Sequence, residues 1–302
     1  MNRQNEKTNL NRCVLGTAGI GGVWGKVDPE ESVKTILEAL ECGIGAIDTA
    51  PAYGNAEQFI GQALRQWRGS RPLISSKVGR LKGFTADQGR YDYSVDGMQR
   101  SVEQSLETLG VSSLDILFLH DPSQVEPETV SRVMETMLSF KEKGYAKMIG
   151  IGGNPPSWLT PYIKPEIVDV LMEFNKLNAC STVALRENLP FCLSNNIQYY
   201  AASPLYMGLL GSCYDTFTSN PPAWLNGESI ELARRLKALA EEQAIALPTL
   251  AHRLLISLPY DFKIVIGASN SVQLASTIQD FKSGPLSESF VNEIIQYTTI
   301  YS

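Results

Sequence analysis

The stretch Ile44-Gly45-Ala46-Ile47-Asp48-Thr49-Ala50-Pro51-Ala52-Tyr53-Gly54 decides the fold of this chain. A short apolar run ends on the carboxylate of Asp48, a turn follows, and Tyr53 comes directly after that turn. Two later strand candidates, 73–77 and 114–120, also end on ionisable residues, Lys77 and His120. In a barrel of parallel strands, the C-terminal ends of the strands surround one shared mouth. We therefore expect Asp48, Tyr53, Lys77 and His120 to meet there.

Composition and charge exclude several classes of protein. The chain has 302 residues, of which 43% are hydrophobic and 19% charged, enough apolar material for a large core. A net charge of -6 and the absence of a basic stripe argue against a nucleic-acid surface. The polar start lacks the apolar core of a signal peptide, and no apolar run is long enough to cross a bilayer. We therefore expect no membrane or nucleic-acid partner.

The cysteines and histidines predict a cytoplasmic protein without a metal site. The five cysteines are widely spaced and odd in number, which favours reduced thiols over a disulfide framework. Only two histidines are present, and no Cys-x-x-Cys or His-Glu-x-x-His pattern occurs.

Apolar runs alternate with amphipathic segments along the chain. Strands are predicted at 14–22, 44–48, 73–77, 114–120, 147–152, 167–174, 198–203 and 263–266. Helices are predicted at 28–41, 56–67, 95–109, 128–143, 157–163, 182–195, 228–243, 248–256, 271–281 and 287–297, with a Gly/Pro/Ser-rich insert at 207–227. This alternation predicts parallel strands joined by crossover helices, and the strands lack strict alternation because both faces are buried.

The fold we predict is a single (β/α)8 TIM barrel over residues 12–302, with a C-terminal-face active site and an additional C-terminal helix. Residues 1–11 are expected to form a flexible tail. The alternative is an open doubly wound sheet, which would bind its ligand at a glycine-rich first turn. Gly16-x-x-Gly19-x-Gly21-Gly22 matches that pattern only weakly.

The four ionisable residues together describe an acid/base site. A phenol has an ordinary pKa of about 10, and a nearby ammonium lowers it. We therefore predict that Lys77 lowers the pKa of Tyr53, that Asp48 keeps Lys77 charged, and that His120 orients a substrate oxygen. Such a site can exchange a proton with a carbonyl or an alcohol. The hydride then requires an organic cofactor.

Each of these residues also has a purely structural interpretation. Asp48 can cap a turn, Lys77 can be a surface charge, Tyr53 can be a packing residue and His120 can stabilise a turn. Taken one at a time, the structural role is the better interpretation. Their occurrence at the ends of consecutive strands favours a shared site.

Five motifs, in this order, resemble the aldo-keto reductase superfamily over nearly the whole chain. They are Asp48-Thr49-Ala50-Pro51-Ala52-Tyr53-Gly54, Ser76-Lys77-Val78-Gly79-Arg80, Asp115-Ile116-Leu117-Phe118-Leu119-His120-Asp121-Pro122, Ala202-Ser203-Pro204-Leu205-Tyr206-Met207-Gly208-Leu209-Leu210 and Ile266-Gly267-Ala268-Ser269-Asn270. The resemblance implies a (β/α)8 barrel that binds NAD(P)(H) across its mouth without a Rossmann fold. It also implies that Asp48, Tyr53, Lys77 and His120 form the catalytic tetrad.

Within the superfamily, the chain most resembles the L-galactose, L-fucose and D-threo-aldose 1-dehydrogenase group. The features that match are the Lys-Val-Gly-Arg loop, the His-Asp-Pro turn and the Ser-Pro-Leu stretch followed by Pro221-Pro222-Ala223-Trp224. The resemblance implies oxidation of a sugar C1 hydroxyl to a lactone, with Tyr53 as the base. Trp24 and Trp224 would add a sugar-stacking wall beside Tyr53 and His120. The alternatives are an NADPH-dependent aldehyde or ketone reductase and a nucleotide-sensing binding subunit.

The resemblance also implies a set of cofactor contacts: Gly22, Asp48, Asn154, Ser203, Pro204, Leu205, Gly208, Gly267, Ser269, Asn270 and Gln273. A 2′-phosphate usually requires Arg or Lys, and the segment 267–279 contains neither, which predicts NAD over NADP. Two positions depart from relatives. After the fifth strand, many relatives carry Ser-Asn or Thr to hold the nicotinamide amide, whereas this chain has Gly150-Ile151-Gly152-Gly153-Asn154, with Asn154 as the candidate substitute. On the last barrel helix, Ser276-Thr277 stand where relatives commonly carry Glu-Asn near the adenine. We expect a small-molecule sugar or carbonyl substrate and a monomer or small homo-oligomer.

Overall fold

The computed structural model describes residues 10–85 and 89–300. Most of the expected N-terminal tail, residues 1–9, lies outside that range. Leu10, by contrast, is buried and packs in the hydrophobic core. The packed part of the chain therefore includes at least two residues that precede the predicted start of the barrel at residue 12.

Eight strands and ten α-helices follow one another along the described residues. The strands are β1 (Cys13–Gly16), β2 (Ala46–Asp48), β3 (Leu73–Val78), β4 (Leu114–His120), β5 (Ala146–Gly152), β6 (Val170–Phe174), β7 (Gln198–Ala202) and β8 (Lys263–Gly267). The helices are α1 (Pro29–Glu41), α2 (Ala56–Gln66), α3 (Val95–Leu109), α4 (Val130–Glu142), α5 (Asn188–Ser194), α6 (Tyr214–Ser219), α7 (Gly227–Glu242), α8 (Leu247–Ser257), α9 (Ser271–Lys282) and α10 (Glu288–Ile300). None of the helices in this part of the chain is long and apolar enough to cross a membrane.

The strands form a closed parallel barrel in chain order, and the (β/α)8 prediction is confirmed. The barrel closes because β1 pairs with both β2 and β8. The predicted bounds of β4 match the structure. The first strand is shorter than predicted, because it ends at Gly16 and the residues after it form turns.

Two other predicted elements differ from the structure. The helix predicted at 182–195 is divided into a short 3-10 turn at Val183–Leu185 and α5. Pro190 accounts for this, since a residue without an N–H is tolerated in the first turn of a helix but not in its interior. The insert predicted at 207–227 contains α6, which packs against α7.

The alternation of side chains along the strands determines which residues reach the barrel interior. Val14, Phe118, Met172 and Tyr200 belong to a cluster that fills the interior. A larger apolar cluster lies between the strands and the surrounding helices. Successive strand residues point to opposite faces. Asp48, Lys77 and His120 are therefore the last inward-facing positions of β2, β3 and β4, at the C-terminal mouth.

Candidate active site

A buried ion pair joins the ends of β2 and β3. Lys77 Nζ lies 2.5 Å from Asp48 Oδ2, and both residues are 2% exposed. The ammonium also donates to the carbonyl of Thr49 at 2.9 Å, and Ser75 Oγ donates to Asp48 Oδ1 at 2.8 Å. These contacts fix the positions of both charged groups, because a buried ion pair requires satisfied hydrogen bonds to offset its desolvation.

Tyr53 and His120 lie directly against this ion pair. The Lys77 ammonium is 4.8 Å from the centre of the Tyr53 ring, and the Tyr53 and His120 rings meet edge to face with centroids 5.6 Å apart. The structure thus brings together the four residues that the sequence singled out. Tyr53 is half-buried, so part of its ring remains open to the mouth.

Two glycines let the loop that carries Tyr53 approach the loop after β1. A side chain on Gly21 would collide with the Tyr53 carbonyl oxygen, and one on Gly54 would collide with the Gly21 carbonyl. Gly54 also has a positive φ of 57°, which favours glycine. Asn55 N donates to the Gly21 carbonyl at 3.1 Å, which joins the two loops. Gly21 and Gly54 therefore let the two loops meet and position the phenol.

The pKa values follow from burial and from the ion pair. Burial lowers the pKa of Lys77. The charges of Asp48 and Tyr53 and their hydrogen bonds raise this pKa by more than burial lowers it, so the pKa of Lys77 lies above its ordinary value. Lys77 is therefore charged at neutral pH. Burial raises the pKa of Tyr53, and the charge of Lys77 opposes that rise without reversing it. The prediction of a lowered Tyr53 pKa is wrong for the protein alone, because desolvation of the phenolate outweighs the ammonium.

His120 is neutral at neutral pH. Burial, together with the charges of Lys77 and Arg80, lowers its pKa well below 6.5. Its Nδ1 atom is buried and has no hydrogen-bond partner among the described residues. A neutral imidazole can donate or accept, depending on its tautomer. The imidazole of His120 can therefore serve either a carbonyl or a hydroxyl oxygen of a substrate.

A polar clamp behind His120 was not predicted from the sequence. Asp121 has a positive φ of 48° and pairs with Arg80 Nη1 at 3.0 Å. Tyr91 donates to the same carboxylate at 3.1 Å. The Tyr93 hydroxyl lies 2.7 Å from the His120 carbonyl oxygen and 3.0 Å from that of Asp121. Arg80 belongs to the Lys-Val-Gly-Arg motif and Asp121 to the His-Asp-Pro motif, but the two residues lie 41 positions apart in the sequence.

The predicted cofactor residues after β7 lie in a tight loop. Ser203 and Met207 have positive φ values of 62° and 56°, and Pro204 is buried. The Ser203 carbonyl accepts from Asn178 Nδ2 at 3.2 Å, and Ser203 Oγ lies 3.3 Å from Met207 Sδ. Leu205 accepts a backbone bond from Gly208 N at 3.0 Å, so the loop is held by its own backbone.

The predicted cofactor residues after β8 form the N-terminal end of α9. The side chain of Asn270 caps the helix by accepting from Gln273 N at 2.9 Å, and Gln273 Oε1 accepts from Ser269 N at 2.9 Å. Gly267 and Gln273 are exposed. The donors here are neutral, as expected for a ribose, but two charged residues of α1, Glu31 and Lys34, also contact Ser271. The sequence did not predict these two contacts.

The remaining predicted cofactor contacts lie on other rims of the mouth. Gly22 lies in the loop after β1 with a φ of 93°. Asn154 follows β5, and its Oδ1 accepts from Phe174 N at 3.1 Å. At the end of β6, Asn175 Oδ1 is buried without a partner among the described residues. An unpaired buried acceptor near neutral amides and exposed backbone fits a ligand carrying a carboxamide, as nicotinamide does.

Both tryptophans of the predicted substrate wall lie in loops that follow C-terminal strand ends. Trp24 is 56% exposed, and Trp224 is 52% exposed. Trp224 packs against Phe217 and Tyr206, with ring centroids 5.7 and 6.4 Å away. No cluster of three or more His, Cys, Asp or Glu side chains that could hold a metal ion occurs in 10–85 or 89–300.

Comparisons with known proteins match this architecture. The sequence profile described as the aldo/keto reductase family matches residues 12–298. L-galactose dehydrogenase of Arabidopsis thaliana is 30% identical over 219 residues, which are 70% of this chain and 64% of that enzyme. NADH-specific methylglyoxal reductase of Escherichia coli is 28% identical over 294 residues and 89% of each chain. The first of these matches thus spans less than two thirds of the relative.

A solved structure shares the fold. The glycerol dehydrogenase of Gluconobacter oxydans superposes with a TM-score of 0.77 at 23% identity, over 96% of this chain and 92% of that one. Identity at this level supports the barrel alone.

Proposed function

The chain belongs to the aldo/keto reductase family, and we propose that it oxidises the C1 hydroxyl of an aldose, such as L-galactose or L-fucose, to a lactone with NAD. One observation carries the proposal. The charged Lys77, paired with Asp48, lies under the ring of Tyr53, and a neutral His120 with an unpaired nitrogen lies beside that ring. This arrangement can hold an alcohol oxygen and remove its proton.

The residues have separate roles in the proposal. NAD, when bound, would supply the hydride acceptor of the reaction. The phenolate form of Tyr53 removes the proton of the C1 hydroxyl as the C1–O bond of the substrate becomes a carbonyl. Lys77 stabilises the phenolate form of Tyr53, and Asp48 keeps Lys77 charged. The imidazole of His120 hydrogen-bonds the substrate oxygen and fixes its orientation.

We propose that the cofactor is held by three groups of residues. The loop after β7, including Ser203, Pro204, Leu205 and Gly208, would contact the diphosphate. Gly267, Ser269, Asn270 and Gln273 would contact the adenosine, with Gly22, Asp48 and Asn154 nearer the nicotinamide. Asn175 Oδ1 is a further candidate acceptor for the carboxamide, because it is buried and unpaired among the described residues. NADH use by the methylglyoxal reductase of E. coli supports the choice of NAD.

The substrate proposal rests on the L-galactose dehydrogenase relative and on the exposed tryptophans. Trp24 and Trp224 present apolar rings to solvent in mouth loops. Aromatic faces of this kind stack on the C–H faces of sugars. The five cysteines are widely spaced in the sequence and odd in number, which supports reduced thiols, and a cytoplasmic location is part of the proposal.

A second candidate, carbonyl reduction, is favoured by one specific observation. The raised pKa of Tyr53 keeps the phenol protonated at neutral pH, which suits the donation of a proton to a carbonyl oxygen. The methylglyoxal reductase relative is an example of that direction. The tetrad is the same in both cases, and only the direction of hydride transfer differs.

A panel of substrates tests the proposal. We would measure the NADH absorbance band with L-galactose, L-fucose, other aldoses and simple alcohols, using NAD and NADP, and with methylglyoxal using NADH and NADPH. Oxidation of an aldose with NAD is the expected result. Turnover confined to carbonyls would favour the reductase, and no turnover while nucleotide still binds would favour a nucleotide-sensing subunit.

A further inference from the structure

An acidic side chain from another helix lies at the N-terminal end of α9. Glu31, in the first turn of α1, accepts two hydrogen bonds at Oε1, from Ser271 N at 2.9 Å and from Ser271 Oγ at 2.5 Å. These bonds lower the pKa of Glu31, so it is charged at neutral pH. Ser271 lies between Asn270 and Gln273, two of the proposed adenosine contacts. A fixed negative charge therefore stands at the adenosine end of the proposed cofactor site.

The neighbouring lysine is held between carboxylates. Lys34 Nζ lies 3.4 Å from Ser271 Oγ, 3.6 Å from Glu31 and 3.7 Å from Glu38. A lysine at this position would attract a 2′-phosphate if it were free. Here one ammonium faces two carboxylates, so the three side chains carry a net charge of -1.

The backbone donors at this helix end are also engaged. Ser271 N is bonded to Glu31, Gln273 N to Asn270 Oδ1, and Ser269 N to Gln273 Oε1. A phosphate at a helix N-terminus requires such N–H groups and a positive field. In this chain a protein carboxylate already occupies Ser271 N and Ser271 Oγ.

We infer that Glu31 is a specificity-determining residue that discriminates against NADP in favour of NAD. The inference rests on the proposed function, because it requires the nucleotide to bind at the end of α9. Glu31 repels a 2′-phosphate and withholds Ser271 and Lys34 from it. It imposes no such penalty on NAD, because a ribose 2′-hydroxyl is neutral and can donate a hydrogen bond to a carboxylate.

Two adenosine fragments test the role of Glu31 through binding alone, without a measurement of turnover. The dissociation constants of 5′-ADP and 2′,5′-ADP are measured by calorimetry for the wild type, Glu31→Gln and Glu38→Gln. Glu38→Gln is a matched control, because it removes a carboxylate from the same lysine about two turns of α1 away from Glu31. Glu31→Gln keeps an oxygen that can accept from Ser271, and thermal melting checks that its fold is intact.

The wild type is expected to bind 5′-ADP more tightly than 2′,5′-ADP. Glu31→Gln should improve the affinity for 2′,5′-ADP by about fivefold, with the affinity for 5′-ADP changed by less than about twofold. Glu38→Gln should change both by less than about twofold. Added salt should narrow the difference between fragments in the wild type, since screening weakens exposed charges.

The inference is overturned if Glu31→Gln leaves the affinity for 2′,5′-ADP unchanged, or if it improves both fragments equally. Binding of NAD to the wild type is measured alongside. If NAD and 5′-ADP bind while Glu31→Gln has no selective effect, the inference alone fails. If neither nucleotide binds, the proposed function fails with it.

Discussion

The two sides of the barrel mouth are built in different ways. On the side of β2, β3 and β4, the functional groups are buried side chains held directly by one another, as in the pair of Asp48 and Lys77. On the side of β7 and β8, the proposed cofactor residues other than the buried Pro204 are half-buried or exposed, and backbone and neutral amides hold them. The acid/base site is therefore preorganised without a ligand, whereas the nucleotide side is an open surface.

The difference has an energetic basis. A buried charge pair is costly to desolvate and tolerates no loss of a partner, so its geometry is rigid. Each hydrogen bond from an exposed amide or hydroxyl contributes little to the free energy of binding. Part of the binding free energy of a nucleotide is therefore spent on ordering these groups around it. Substitutions on the first side should therefore reduce both stability and turnover, and those on the second should mainly reduce binding.

Breaking the buried pair should have the largest effect. Lys77→Met leaves Asp48 charged and uncompensated in the core, and we expect a loss of about 3–5 kcal/mol in the free energy of unfolding. Turnover should fall by a factor of about 100 to 10,000, because the acid/base group loses its ammonium. Urea denaturation and steady-state kinetics provide the measurements.

Lys147→Met is the matched control for this variant. Lys147 pairs with Asp115 at 2.8 Å, but its side chain is 63% exposed. We expect a loss below about 1 kcal/mol and unchanged turnover. Similar losses of stability in the two lysine variants would contradict the distinction between a buried and an open side.

The dependence of stability on pH tests whether His120 is buried and neutral on the side of β2, β3 and β4. Its folded pKa is depressed, so the unfolded chain binds the proton more readily, and stability falls as the pH falls below the unfolded value near 6.5. Between about pH 6 and pH 5, His120→Asn should remove up to about 1.4 kcal/mol per pH unit from that slope. Urea denaturation across this range is the measurement, and parallel curves for the two proteins would argue against a neutral buried imidazole.

The helix cap at the nucleotide side should give the smallest effect. Asn270→Ala removes the cap of α9, and we expect a loss of about 1 kcal/mol in stability together with weaker nucleotide binding. Asn226→Ala removes the equivalent cap of α7, where Asn226 Oδ1 accepts from Ser229 N at 2.7 Å. The two variants should lose similar stability, but only Asn270→Ala should lose affinity in calorimetry. Equal affinities would remove Asn270 from the proposed site.

Much of the catalytic side could be predicted from the sequence because its information is local. A strand candidate that ends on an ionisable residue identifies the position at the mouth of the barrel, and Asp48, Lys77 and His120 each fit that pattern. The bounds of β4 follow from the same pattern. The α-helix predicted at 182–195 begins only at Asn188, with Pro190 in its first turn.

The rest depends on contacts that no local pattern contains. Glu31 and Ser271 are 240 residues apart and meet only because the barrel closes between β1 and β8. The pKa of Tyr53 is raised because the phenol is buried, and its burial is a property of the packed loops around Gly21 and Gly54. The roles of the predicted cofactor and substrate residues stay predictions, since they concern ligands rather than the fold.

The most direct test is a comparison of turnover and nucleotide binding in Tyr53→Phe. This variant removes the hydroxyl and keeps the ring against His120 and Lys77. We predict that turnover falls by a factor of about 100 to 10,000 while the dissociation constant of NAD changes by less than about threefold. Turnover at the wild-type rate in Tyr53→Phe, with NAD bound normally, would contradict the assignment of the phenol as the proton-exchanging group.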